Sequence, residues 1–456
     1  MKLNFREKGI PKWIRHRLLV LFLIFTGALV VFQFLLNLGE EEKKVTMAEA
    51  TLPLVGVQTY DHTMGELHGY RTQMDACYMR DALIPLDPKR KMDLTINTYG
   101  YDVDSVSYEV RSLDTQRKIA DTKVSDWNKD GNTWTKSLQI ENLVDEGQEY
   151  LFILKLHCKS DDLYYYTRIT LPEETYAKKC LEFTDSFHNV SMSDQYELLA
   201  SYIEPADYTD KNDLGNVNIN SSIDQIGWRG FAGKQVGDPL VSFTDINDTY
   251  ASLVYAYQMA EEADGATNYY NVEEYYKVRY TDQQIYLLDY QRSMEQIIDT
   301  ASVNVSGNIL SVGVTSDTTG YLSNETGTIV SFVQSGQLFE YNQNKQTFTK
   351  VYGFIDDPTD ARQSYGQHNI RILNIDETGN MDFVVYGYMN RGQHEGESGI
   401  DLYHYDSIKQ EAIEQVFIAT THSYQILNAD FSDLLYENAD GDFYHDGRHP
   451  CQSRSG

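Results

Sequence analysis

The stretch Leu18 to Leu36, LLVLFLIFTGALVVFQFLL, is nineteen residues long, and only Thr26 and Gln33 in it carry polar side chains. Such a run crosses a hydrocarbon core about 30 Å thick as one helix, because a single spanning segment can satisfy its backbone in no other way. A transmembrane signal anchor is therefore expected over residues 18–37. Its flanks set the orientation. Residues 1–17 form a basic tail with Lys2, Arg6, Lys8, Lys12, Arg15 and Arg17 against Glu7, whereas Glu40, Glu41 and Glu42 follow the run. The positive-inside bias keeps the tail cytoplasmic and exports everything after the anchor. A cleaved signal peptide is the competing reading, since Ala48-Glu49-Ala50 has the form of a cleavage site. That site lies beyond the charged segment Glu40 to Lys44, far from the apolar run, which favours an uncleaved anchor.

The exported part is strongly acidic. The whole chain of 456 residues has a formal charge of -30, and the basic tail contributes +5 of the opposite sign. A nucleic-acid partner is excluded, because a phosphate backbone needs a basic face. With 41% hydrophobic and 12% aromatic residues the composition is that of a folded chain. Cys77, Cys158, Cys180 and Cys451 show no metal-ligand spacing, which excludes the zinc patterns. Export permits disulfides, and Cys158 ends a predicted strand while Cys180 opens a predicted helix. A bridge between them is one reading; reduced, buried thiols are the simpler one.

After a spacer over 38–50, residues 51–172 alternate as half-buried strands do. Val106, Tyr108 and Val110 share a face, as do Trp134, Leu138 and Ile140, and Tyr150, Phe152, Leu154 and Leu156. Turn residues at Asn128 to Asn132 and Asp145 to Gly147 punctuate them, so a β-sandwich is expected. Leu143 to Tyr150 followed by LFILKL resembles the leucine, glycine and tyrosine corner of fibronectin type III and immunoglobulin-like domains, with Leu and Tyr one residue further apart than usual. That resemblance implies a spacer or binding module without catalysis.

Residues 173–235 read as a helical and polar connector. Leu181, Phe187, Leu198, Leu199, Tyr202 and Ile203 suit one or two helices broken near Asn189 to Ser193, and an Asn/Asp-rich stretch follows to Asp224. From 236 to 445 strand-like runs resume, with a short helical stripe at Met294, Ile297 and Ile298. From about Asn308 a regularity appears in which Phe339 and Tyr341, Tyr403 and Tyr405, and Phe443 and Tyr444 correspond in three successive units. Repeats of four short strands point to a β-propeller-like domain, against a non-repeating all-β domain. The third unit begins at Tyr424 and stops mid-pattern, and residues 446–456 read as a disordered tail. An incomplete propeller from a longer chain cut short, or an ordinary terminus, fits that change. The expected fold class is thus mainly β: an N-terminal transmembrane helix, a β-sandwich, a short helical connector and an incomplete propeller-like C-terminal domain.

The segment Asn374 to Val385 resembles FG-GAP and related propeller repeats, in which an acidic loop between two strands holds calcium. Carried over by position, Asn374, Asp376, Thr378 and Asp382 would supply the oxygens a hard cation requires. Asn stands first and Thr replaces the usual Asp or Asn, leaving two carboxylates, and a plain Asp/Gly turn is the competing reading. Asp126 to Gly131 begins like an EF-hand loop, but Ser137 occupies the position needing a bidentate Glu, so a hairpin turn is expected. His62 and His68 have no metal-binding motif behind their spacing. No GxSxG, SxxK, HExxH or P-loop pattern occurs. Thirty-five tyrosines are expected mainly to pack across strands, with exposed ones offering platforms for sugar rings or proteins.

In style the chain resembles membrane-anchored surface proteins of Gram-positive bacteria, some of which accompany exopolysaccharide synthesis. The expected function is that of a non-enzymatic, extracytoplasmic binding or scaffold protein with a glycan or protein partner. The alternatives are an exported polysaccharide hydrolase or lyase, or an accessory subunit of an envelope sensor. Protease added to intact, wall-stripped cells is expected to digest nearly all of the protein; survival of its bulk would refute the orientation.

Overall fold

Alternating apolar residues along 54–170 build two facing sheets. The computed structural model describes residues 47–437 and 443–445, apart from 81, 141–143, 160, 207–212, 264, 282–283, 301–302, 307–308 and 316–319. The transmembrane anchor expected over 18–37 and the tail expected over 446–456 lie outside these residues. No helix of the described residues is long and apolar enough to cross a membrane, and the described part is mainly β.

One sheet has the order His62–His68, Leu54–Thr59, Lys91–Asn97, Thr133–Gln139, Asn128–Asp130. Facing it, Asp162–Thr170, Glu149–Cys158, Val103–Ser112 and Lys118–Val124 lie side by side. Val55, Val57, Leu94 and Ile96 of the first sheet share a core with Val106, Tyr108, Phe152, Leu154 and Leu156 of the second. Burying this much apolar surface is the main driving force for the pairing. In Glu149–Cys158 the alternate residues Leu151 and Ile153 are buried too, against Tyr70, Met74, Met79 and Tyr166. Hence LFILKL is a nearly unbroken apolar run, as a strand covered on both faces requires. The Tyr150 hydroxyl accepts from the Asp145 N–H at 3.1 Å, tying the strand to the turn before it. Asn128–Asp130 and Thr133–Gln139 form the hairpin expected there, with Gly131 at φ +56°.

The second sheet does not end with the sandwich. Leu83–Pro85 pairs parallel to Asp162–Thr170 and, through Leu83 and Phe243, antiparallel to Lys234–Ile246. From there the sheet continues through Ala251–Ala263, Ala266–Tyr280 and Ile285–Ile297 to the short strand Asn216–Asn218. Hydrogen bonding therefore crosses residue 236, and the described residues belong to one compact unit. Met294 and Ile297 lie in a strand and not in the helix expected there: Met294 pairs with Val272, and Met294 points into the core while Glu295 points out.

The long helix Glu174–Ser191 packs on the inner face of this meander, and the break expected after Asn189 falls at Met192. Its Phe187 meets Tyr276 and Tyr290 at ring distances of 5.6 and 5.1 Å. Among these rings lies Glu274, at 0% exposure. Its carboxylate accepts from Tyr276 Oη at 2.8 Å and Tyr290 Oη at 3.0 Å, and lies 2.6 Å from His188 Nδ1. Burial opposes ionisation, but the hydrogen bond and charge of His188, with help from Arg292, hold the Glu274 carboxyl below its ordinary range. Arg292, 1% exposed, lies 3.6 Å over the Trp228 ring and donates to the carbonyls of Gln225 and Ile226. Cys158 and Cys180 are both free, so the bridge between them is not formed.

Two four-stranded antiparallel meanders follow. The first is Tyr321–Ser323, Ile329–Gln334, Gln337–Asn342 and Thr347–Gly353; the second is His368–Ile375, Met381–Tyr388, Ser398–Asp406 and Glu411–Thr420. Leu338, Val351 and Tyr352 of the first pack on Ile370, Phe383, Val385 and Tyr405 of the second, so the two stack face to face. Phe339 and Tyr341, like Tyr403 and Tyr405, sit on the third strand of their meander. The third unit departs from this pattern. Residues Tyr424–Leu434 are a helix, because Tyr424, Leu427 and Phe431 recur at helical and not strand spacing. Its Phe431 ring stacks on Tyr386 at 4.2 Å, covering the free face of the second meander.

The loop 389–397 anchors the second meander to the sandwich. Glu395 accepts from the Thr51 N–H at 2.6 Å, the Thr51 hydroxyl at 2.5 Å and the Leu52 N–H at 3.0 Å. Arg71 donates through Nε to the Glu395 carbonyl and through its N–H to Gly396, both at 2.8 Å. Gly396 has φ +80°, and a Cβ there would stand 2.5 Å from Leu52 Cδ1, so only glycine allows this approach.

Glu274→Ala would leave His188 and two tyrosine hydroxyls buried without their acceptor. A loss of about 3 to 5 kcal/mol is expected from the shift in the urea midpoint. A loss below about 1 kcal/mol would show that the network does not hold the helix to the sheet.

Candidate functional site

The four residues of the calcium-like loop are hydrogen-bonded in two sets. Asp376 Oδ1 accepts from the Thr378 N–H and hydroxyl, both at 2.7 Å, and from the Asn380 N–H at 2.9 Å, while Oδ2 accepts from Asn380 Nδ2 at 3.0 Å. Burial would raise the Asp376 carboxyl, yet these donors from Thr378 and Asn380 hold it below its usual range. Asp382 belongs to a separate set, accepting from Asn374 Nδ2 at 2.9 Å and lying 2.7 Å from His404 Nδ1. With Gly379 at φ +93° the loop is built as an Asp/Gly turn, and calcium would have to displace donors already in place. His62 and His68 also part company. His62 Nε2 lies 3.0 Å from Asp185, and the buried His68 ring stacks on Tyr365 at 3.8 Å. Burial pulls His68 down to about 3.

A denser polar cluster lies at the other end of the second meander. Asp401 and Tyr403 point to the same side of Ser398–Asp406, and Glu414 and Phe417 pair with Tyr403 and Asp401 across the neighbouring strand. A register shift between Leu402 and Tyr403 allows both to do so. From the loop 389–397, His394 folds back onto this face, its ring stacked on Phe417 at 3.7 Å. Ligand atoms of His394, Asp401 and Glu414 lie within 4.8 Å of one another. Asp401 is 1% exposed, its Oδ1 has no hydrogen-bond partner, and burial pushes it up to about 7, with Tyr403 and His394 opposing and Glu414 adding to the rise. Arg391 in the same loop, also 1% exposed, pairs with Asp356 and leaves Nε and Nη1 without partners.

A second raised carboxyl belongs to Glu340 on the first meander. It is buried beside Gly379, where an added Cβ would stand 3.2 Å from both carboxylate oxygens. Burial pushes Glu340 up to about 7, with Lys345 opposing and Asp376 adding. Gly379 also borders Ser407, so Glu340 sits near the end of the third strand of the second meander. Asp401 is six positions back along it, roughly 20 Å at strand spacing.

On the long meander, Glu273, Tyr275, Asp289 and Gln291 alternate with the helix-facing Glu274, Tyr276, Tyr290 and Arg292 and line a polar groove of about 480 Å³. Asn216, Asn218, Glu273, Tyr275, Asp289 and Gln291 are among its walls. The strand register places Asn218 beside Gln291, and Gln291 beside Tyr275. Amide, hydroxyl and carboxylate groups alternate there, able both to donate and to accept.

Comparison with protein-family models finds no match, and no curated protein matches the sequence. The His394, Asp401 and Glu414 cluster was not anticipated from the sequence, its members being separated by two strand changes. A signal was present nonetheless: Asp401 occupies the same face as Tyr403 and Tyr405, where an aromatic or aliphatic residue is the rule.

Because the folded state holds the Glu340 proton to about pH 7 while an unfolded carboxylate releases it near 4.3, stability falls as pH rises through that window. Glu340→Gln removes this slope and should exceed the wild type by up to about 3 kcal/mol at about pH 8. Urea midpoints near pH 5 and pH 8 check this; parallel pH profiles for the two proteins would contradict it.

Proposed function

We propose that this chain is a membrane-anchored, extracytoplasmic and non-enzymatic binding protein whose ligand is cell-surface polysaccharide. The observation that carries the reading is the polar groove over Asn218, Tyr275 and Gln291. Sugar hydroxyls each donate and accept, and a wall of amides and carboxylates with a tyrosine ring beside them offers complementary partners. The groove lies on a long, paired sheet whose opposite face is fixed by the helix, so its groups are held in place before a ligand arrives.

The surrounding architecture supports a scaffold. The sandwich has the strands Leu54–Thr59, Lys91–Asn97 and Thr133–Gln139 on one side and Asp162–Thr170, Glu149–Cys158, Val103–Ser112 and Lys118–Val124 on the other, and its Tyr150 bonds back to Asp145. That order and that corner agree with a fibronectin type III or immunoglobulin-like module. The two stacked meanders are read as propeller-like blades, an incomplete set closed by a helix. Thr51 and Leu52, where the body begins after the anchor and spacer, are held by Glu395, so a load on the body passes directly to its attachment.

The hydrolase reading needs two carboxyls flanking one glycosidic bond at about 5 to 9.5 Å. Neither carboxyl raised to about 7, Glu340 or Asp401, lies on the walls of the groove that carries the binding reading. Full-length protein in detergent should bind purified cell-envelope polysaccharide in calorimetry, and Asn218→Ala with Gln291→Ala should weaken binding about tenfold or more at unchanged melting temperature. Equal binding by the double variant, or release of reducing ends by the wild type, would overturn the proposal.

A further inference from the structure

We propose that His394, Asp401 and Glu414 form a binding site for a divalent transition-metal ion of the zinc class. The three side chains come from a loop and two neighbouring strands, and their ligand atoms already lie within 4.8 Å of one another. Tetrahedral zinc ligands at about 2.0 to 2.2 Å from the metal stand roughly 3.3 Å apart, so small rotations of these side chains close the site. The imidazole separates this cluster from the all-oxygen sites of calcium: one imidazole with two carboxylates is a borderline donor set, and three protein ligands leave a fourth position for water.

The surroundings are arranged as metal sites require. Glu397 lies 3.2 Å from His394 Nδ1, while Nε2 lies 3.3 Å from both carboxylate oxygens of Glu414. A carboxylate on Nδ1 fixes the tautomer and presents Nε2 as the free lone pair. The Phe417 ring, 3.7 Å from the imidazole, holds its plane. Asp401 supplies the independent sign of a missing ligand: it is 1% exposed, and its Oδ1 has no partner. A buried oxygen without a donor costs free energy, and a cation between Asp401 and Glu414 removes that cost and their mutual repulsion. Arg391 does not donate to it: Nη2 pairs with Asp356, and Nε and Nη1 have no partner. This site is separate from the polar groove, and neither proposal rests on the other.

The test uses the full-length protein in detergent, stripped with chelator and dialysed, then titrated with zinc by calorimetry and with cobalt by visible absorption. One equivalent of zinc is expected to bind, and cobalt should give the intense band of a tetrahedral site. His394→Ala and Asp401→Asn should each abolish the cobalt band, and Glu397→Gln should weaken zinc about tenfold. His157→Ala, at a half-buried imidazole of the sandwich held by Asp162 and Ser107, should leave zinc binding unchanged. Circular dichroism melts report whether each variant is folded, and the wild type alone suffices to refute the site. No zinc binding by folded wild type, or binding undiminished in folded His394→Ala and Asp401→Asn, would overturn the proposal.

Discussion

A single buried carboxylate organises the larger half of this molecule. Glu274 has Tyr255 and Arg292 as its cross-strand neighbours, and it gathers His188 from the helix and the hydroxyls of Tyr276 and Tyr290 from the sheet. Isolated, such a charge would be expelled or neutralised; with its donors satisfied it becomes a fixed point. Around it the rings of Phe187, Tyr276 and Tyr290 pack at 5.1 to 5.6 Å, which lets one helix lie at one angle on a long twisted sheet. Beside it Asp185 accepts from Tyr255 Oη at 2.7 Å and lies 3.0 Å from His62, so the sandwich is tied to the same helix.

The outer face of that sheet inherits its rigidity. Strands 13 and 15 residues long would twist and flex if left bare, and the covered inner face prevents this. A polar groove can then persist on the other side. Something similar happens at the loop 389–397, whose Glu395 holds the start of the body while Arg391 and His394 turn inward. The same loop therefore joins the second meander to the sandwich and completes the polar cluster over Asp401. Any ligand at that cluster touches a segment on which the packing of the two parts depends.

Much of this was legible in the residues. Alternation located the sandwich strands, although LFILKL, read as half-buried, is covered on both faces, and paired aromatics marked positions that fall on corresponding strands of the two meanders. The turn at Asp376 was legible as either a turn or a cation site, and the hydrogen bonds to Thr378 and Asn380 show how the turn is made. Two readings failed for one reason. Met294 and Ile297 fit a helical stripe, and Tyr424 to Phe431 fitted a strand, because short apolar segments suit both periods until a partner surface is present. For Met294 that partner was the neighbouring strand; for Tyr424, Leu427 and Phe431 it was the exposed face of the second meander.

Apart from the short apolar segments at Met294 and Tyr424, sequence alone determined which segments extend and which coil, where the turns fall, and which faces are apolar, since these depend on side chains a few residues apart. It also determined the apolar run at Leu18 to Leu36 and the charge bias around it. Tertiary structure decided the rest. That the sandwich sheet continues past Leu83 into the long meander depends on one cross-strand pair between residues 160 positions apart. That Asp401 meets His394 and Glu414 depends on a register shift and a folded loop. Contacts of this kind are selected by the packing of the whole core, in which each strand is chosen by the surface it meets, and no local pattern records that choice.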